Sequence, residues 1–160
     1  MKKILYAAVI CTVALLSMAY LSLSYAAEGV KAVSVVEMKG TVDIMQKGTS
    51  TWTPATLWMK LGSGDTVKTG ADSYADLNFN GIGQAALVRV GASSVMKVDS
   101  YLASTKEAEK KISLDLSIGD VLVKANKMKN ESQFQVKTPT SIVGVRGTGF
   151  KVSVSSDTEN

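Results

Sequence analysis

Alternation of side-chain character, interrupted at short intervals by turn residues, narrows what this chain can fold into. In Tyr74-Ala75-Asp76-Leu77-Asn78-Phe79-Asn80, the residues Ala75, Leu77 and Phe79 fall on one side and Tyr74, Asp76, Asn78 and Asn80 on the other. That is the period of a strand with one buried face. Asn80-Gly81 then signals a turn. Val30–Val36, Thr41–Met45, Ala85–Val90, Ser94–Val98, Ile112–Leu116, Val121–Ala125, Phe134–Val136 and Phe150–Val154 read the same way, separated by Gly-Asp, Asn-Gly and Thr-Pro punctuation. The spacing predicts an all-β domain. Ser104–Lys111 has helix formers and a Glu107/Lys111 pair, but it is too short to stand alone and is expected to be a solvated hairpin excursion.

Two internal echoes refine the class. Leu61-Gly62-Ser63-Gly64-Asp65 and Leu116-Ser117-Ile118-Gly119-Asp120 share L-x-x-G-D, and Val67-Lys68-Thr69 recurs as Val136-Lys137-Thr138. Their unequal offsets exclude a strict tandem array. They suggest a short-stranded, solenoid-like β-roll or sandwich built from two related layers. In each L-x-x-G-D the Leu is expected in the core, with Gly at positive φ and Asp binding backbone N–H groups in a turn.

The first 26 residues read as a signal peptide. Met1-Lys2-Lys3 is the positive n-region, Ile4–Leu23 is apolar, and Ser24-Tyr25-Ala26 offers small residues for cleavage after Ala26. The competing reading, an uncleaved anchor, also exports the domain, because Lys2 and Lys3 stay on the cytoplasmic side. What remains is 134 residues: a lead-in strand (27–37), a β domain (38–155) and a disordered tail (156–160). Losing Lys2 and Lys3 lowers the net charge from +4 to +2, too little for a nucleic-acid-binding stripe. The chain has no His and a single Cys, Cys11 in the apolar run. A Ser-His-Asp triad, a Cys-His dyad and an H-E-x-x-H zinc site are therefore excluded within it, and no cofactor or metal is expected.

Several residues together carry a family resemblance. These are Gly40-Thr41-Val42, Trp52, then Leu61-x-x-Gly64-Asp65-Thr66-Val67-x-Thr69-Gly70, then Leu116-x-x-Gly119-Asp120-Val121, and the closing run Thr138-Pro139 through Val145-Arg146-Gly147-Thr148-Gly149-Phe150. Over about residues 38–155 the chain resembles the FecR domain. The resemblance implies an exported, solenoid-like all-β domain acting in signalling or protein interaction at the bacterial envelope, without catalytic activity. The namesake regulators resemble anti-sigma factors with a cytoplasmic domain before their membrane span, whereas only Met1-Lys2-Lys3 precedes the apolar run here. A free-standing exported version is expected.

The closing run also has a physical reading. Thr138-Pro139 should set an extended entry, the glycines a tight path, and Val143, Val145 and Phe150 anchors in the core. Arg146 is expected to tie down turn carbonyls or pair with Asp65 or Asp120; the sharper alternative presents its fork to a partner carboxylate.

Other motifs carry less. Ser94-Val95-Met96-Lys97 and Lys68-Thr69-Gly70 match S-x-x-K and K-T-G, but in reversed order and on strand patterns. Asp76-x-Asn78-x-Asn80-Gly81 begins like a calcium loop, yet Leu87 stands where the bidentate Glu belongs. Asn130-Glu131-Ser132 is a bare glycosylation match. Trp52 is expected in the core, and Trp58 is the first candidate for a partner contact. The expected function is a non-enzymatic interaction module for an unidentified envelope protein. The alternatives are a cell-wall glycan binder using exposed aromatics and a hydrolase using the Asp65 and Asp120 carboxylates.

Overall fold

The computed structural model describes residues 33–81, 83–103, 110–125, 133–145 and 148–155. Residues 1–32, which include the segment expected to be a signal peptide, most of Ser104–Lys111, the Asn130-Glu131-Ser132 match and the tail 156–160 lie outside them. The described residues form strands and turns, with no helix among them, so the all-β expectation holds. The strands are β1 (Val33–Lys39), β2 (Val42–Met45), β3 (Trp52–Pro54), β4 (Lys60–Leu61), β5 (Thr66–Thr69) and β6 (Tyr74–Gly81). They continue as β7 (Gly83–Val90), β8 (Val95–Ala103), β9 (Lys110–Ala125), β10 (Gln133–Lys137), β11 (Ile142–Val145) and β12 (Thr148–Val154).

The strands make two layers joined through β9. One layer runs β4-β1-β6-β7-β9-β12 and the other β3-β2-β5-β8-β9-β10-β11. All neighbouring pairs are antiparallel except β9 with β10, which run parallel. The orders match strand for strand: β1 continues into β2, β5 into β6, and β7 into β8. Strand β9 serves both layers, pairing with β8 through Ile118 and with β7 from Val121. Ile112–Leu116 and Val121–Ala125 are thus one 16-residue strand rather than two short ones, and Gly119-Asp120 is a bend inside it rather than a turn between strands. Similarly, β1 runs through residues 37 and 38 without a break.

Alternation places the core as the sequence implies. Ala75, Leu77 and Phe79 of β6, Val88 and Val90 of β7, and Ile112, Leu114, Leu116, Val121 and Val123 of β9 are buried in one cluster shared by both layers. Phe79 meets Tyr101 of β8 at 6.0 Å between ring centroids, and Phe134 of β10 meets Phe150 of β12 at 5.9 Å, so aromatic rings bridge the layers. Such offset and edge contacts suit the ring quadrupoles.

Four corners carry the chain between the layers, and they are built alike in pairs. At Gly70-Ala71-Asp72-Ser73, the Ser73 hydroxyl donates to the Ala71 carbonyl (2.9 Å) and accepts the Thr41 amide (3.0 Å), while the Gly70 amide donates to the Thr41 carbonyl (2.9 Å). At Gly91-Ala92-Ser93-Ser94, the Ser94 hydroxyl donates to the Ala92 carbonyl (2.9 Å) and accepts the Asp120 amide (2.9 Å), while the Gly91 amide donates to the Asp120 carbonyl (2.7 Å). Asp72 and Ser93 both sit at positive φ, +52° and +48°. Gly40 and Gly119 complete the matching positions at φ +74° and +94°; a Cβ on either would collide with Ser73 or Ser94. The two serine corners are also tied to each other, Ser93 N–H to the Gly70 carbonyl and Thr69 N–H to the Ser94 carbonyl, both at 3.0 Å.

Candidate functional site

The exposed large apolar side chains among the described residues are Trp52, Leu57, Trp58 and Ile142. All belong to the terminal edges of the layers. Strand β3 is the last strand of its layer and all three of its residues are exposed. Trp52, opposite Met45, therefore lies on the outer face, with the Lys68 ammonium 5.7 Å from its ring centroid. The core position expected for Trp52 is corrected: its register opposite Met45 turns the side chain to the face away from the buried Val42 and Ile44. The segment after β3 crosses to the edge of the other layer, the Ala55 amide bonding the Val42 carbonyl (2.8 Å) and the Trp58 amide the Val35 carbonyl (2.7 Å). Trp58 is 68% exposed and has φ +67°, a conformation that bulky residues rarely adopt. Its amide bond to Val35, with the return bond from the Val35 amide to the Met59 carbonyl (3.1 Å), holds the strained backbone beside a register shift in β1.

The L-x-x-G-D residues are structural. Leu61 and Leu116 are fully buried, and Gly64 and Gly119 have positive φ as expected. Asp65 is buried, its Oδ1 accepting the Lys47 amide (2.8 Å) and its Oδ2 the Gly62 amide (2.9 Å). Asp120 departs from this pattern, because its carboxylate faces outward to the Lys151 ammonium at 3.2 Å. The Ser153 hydroxyl and then Lys151 hold its carboxyl below the ordinary range. Both carboxylates have structural partners, which leaves neither as an evident acid or base. Thr69 is buried, its hydroxyl accepting the Ser94 amide at 3.0 Å beside Gly70.

On the outer face of the β6–β7 layer, Asp76 is taken up by Arg89 in a two-pronged pair (2.6 and 2.7 Å). The Arg89 guanidinium lies 4.4 Å from the Tyr74 ring centroid, and the Tyr74 hydroxyl donates to Glu37 at 2.7 Å. That bond raises the Tyr74 pKa. Asp76 is therefore already paired by Arg89, and Leu87 stands where the calcium-loop Glu would be. Leu87, Leu122 and Lys124 join Asp76 and Arg89 around a shallow depression of about 40 Å³, near the volume of a single water. On the other outer face, Asp99 accepts from Lys137 (2.8 Å) and Ser113 (3.0 Å), which lower its pKa in that order.

The closing motif builds the opposite terminal edge. Thr138-Pro139-Thr140-Ser141 is a tight hairpin turn, with the Thr138 amide on the Ser141 carbonyl (2.8 Å) and the Ser141 amide on the Thr138 hydroxyl (3.0 Å). β11 folds straight back on β10. Val143 and Phe150 pack partly buried against the core, and Thr148 opens β12. Arg146 and Gly147 lie outside the described residues. Sequence reasoning missed the Ser73 and Ser94 corners, although Gly-Ala-x-Ser occurs twice, at residues 70 and 91.

A family model described as FecR protein matches residues 65–160. No curated protein and no solved structure matches the chain. The matched span covers β5 through β12, including both serine corners, the β9 bend and the Thr138–Phe150 run that forms the terminal edge. With more than half of its length inside that span, the chain belongs to the FecR family, a signalling and regulatory family not known for enzymes.

Proposed function

We propose that the chain is an exported, non-enzymatic signalling module that works by binding another envelope protein. The observation that carries this reading is Trp58. A large aromatic held 68% exposed in a left-handed backbone serves no packing purpose in the domain, and such strain tends to persist where a contact outside the fold uses it. Leu57, 52% exposed beside it, extends the apolar edge. The positive n-region, apolar run and Ser24-Tyr25-Ala26 site support export.

The test uses the full chain in its host, with a photoreactive amino acid in place of Trp58 and a C-terminal reporter enzyme active only outside the cytoplasm. The expected result is an active reporter and one discrete protein adduct, lost when the photoreactive group is moved to Lys39. An inactive reporter overturns export. Retention of the chain on cell-wall glycan without a protein adduct replaces the reading with glycan binding through Trp52 and Trp58.

A further inference from the structure

Terminal β-strands are normally blunted by charge, proline, bulges or brevity, because their free backbone groups invite another strand. Three of the four terminal edges here follow that rule. Strand β3 has three residues and ends in Pro54, β4 has two, and β12 carries Lys151 at its centre. Strand β11, Ile142-Val143-Gly144-Val145, has no charge and no proline. Its register with β10 is unbroken, and among the described residues β10 is its only neighbour.

The chemistry of that edge is self-complementary. The Thr138 amide bonds the Ser141 carbonyl, so Thr138 and Ser141 form a hydrogen-bonded pair, and by alternation so do Val136 and Val143. The backbone groups of Ile142 and Gly144 therefore point away from β10 into solvent. Val143 faces the core, where it continues the row Leu114–Val136 but is only partly buried. On the outer face Ile142 is 68% exposed, while a Cβ built on Gly144 would touch nothing within 4 Å.

We infer that β11 is a self-association edge, pairing antiparallel with β11 of a second copy about a twofold axis at Val143. In that register Ile142 of each copy lies opposite Gly144 of the other, the projecting side chain over the open glycine. The two Ile142–Gly144 pairs exchange four backbone hydrogen bonds, and the two Val143 side chains meet and extend the core row across the axis. A contact of this type satisfies the isologous rule that what one copy presents the other receives. An edge of four residues makes a small interface, so the dimer is concentration-dependent. This association does not depend on which envelope partner the module serves.

The register makes a single-cysteine experiment decisive. Residues facing each other in a non-hydrogen-bonded antiparallel pair have Cα atoms about 4.5 Å apart, within disulfide reach. In the full chain, exported in its host and carrying Cys11→Ser, Val143→Cys is expected to give a disulfide-linked dimer on non-reducing electrophoresis. Ile142→Cys, which faces Gly144 of the other copy, should give at least tenfold less. Equal linking by both variants, or none by Val143→Cys, overturns the pairing. Gly144→Lys leaves the monomer unstrained, because its new side chain enters open space, and should raise the dimer dissociation constant at least tenfold in sedimentation. A purified full chain that stays monomeric at every concentration, or a Gly144→Lys variant that dimerises as before, also overturns it.

Discussion

The Ser94 hydroxyl accepts the Asp120 amide at 2.9 Å and thereby ties the corner between β7 and β8 to the bend in β9. Ser94 is fully buried, and the same hydroxyl donates to the Ala92 carbonyl, so it satisfies groups on both segments at once. Ser94→Ala leaves a backbone N–H without its partner and should cost about 1–3 kcal/mol in denaturant unfolding. Gly119→Ala should cost more, because φ is +94° and the new Cβ would collide with Ser94. A neutral effect of both substitutions would show that the corners do not hold the layers.

Trp58 separates stability from binding. Replacing it with Gly relieves the left-handed backbone and removes little buried surface, so the melting temperature should stay level or rise, by roughly 1 kcal/mol of stability at most. Partner retention should vanish in the same variant. A large loss of stability would instead assign Trp58 to the fold.

Tyr101 is 8% exposed and its hydroxyl has no hydrogen-bond partner. Burial raises its pKa, so its neutral form is favoured in the folded state. Stability tied to this group is therefore intact below the ordinary tyrosine range and is lost as pH climbs through the raised value. Absorbance titration should show one phenol ionising late, together with unfolding. Tyr101→Phe should remove that step and leave the domain as stable or about 1 kcal/mol more stable, since it deletes an unpaired buried group.

Asp99 and Asp120 act on the acid side. Both have depressed pKa values, Asp99 mainly through Lys137 and Asp120 mainly through Ser153. Their contribution is complete above the ordinary carboxylate value of about 4 and is lost as pH falls through the lower folded value. The difference in stability between the native chain and Asp99→Asn should be small at pH 6, begin to shrink only below about pH 4 and vanish once the pH has fallen past the lower folded value. A difference that grows on acidification would contradict the Lys137 pairing.

Asp76 is nearly buried while Arg89 beside it is 44% exposed. Arg89→Ala strands the carboxylate and should cost about 2–3 kcal/mol, whereas the double variant Arg89→Ala/Asp76→Ala should recover part of that loss. Chemical denaturation of the three variants measures the coupling directly; strict additivity would mean that the pair is incidental.

How much of this was legible in the residues varies from element to element. Alternation in Tyr74–Asn80 identifies the buried face of β6, because successive side chains of a strand must point to opposite sides whatever the neighbours are. The all-β class, the buried Leu61 and Leu116 and the positive φ of Gly64 and Gly119 follow from equally local causes. By contrast, L-x-x-G-D forms a turn at Asp65 and a mid-strand bend at Asp120, because Lys47 and Gly62 offer amides to the first carboxylate and Lys151 and Ser153 meet the second. No five-residue pattern contains those partners. Trp52 and Ile142 are exposed for the same kind of reason: register opposite Met45 and Lys137 turns both to the outer face of strands at the ends of their layers. Period and backbone preference are properties of the chain and could be read from it; coverage and hydrogen-bond partnership belong to pairs of distant segments and were decided only when those segments met.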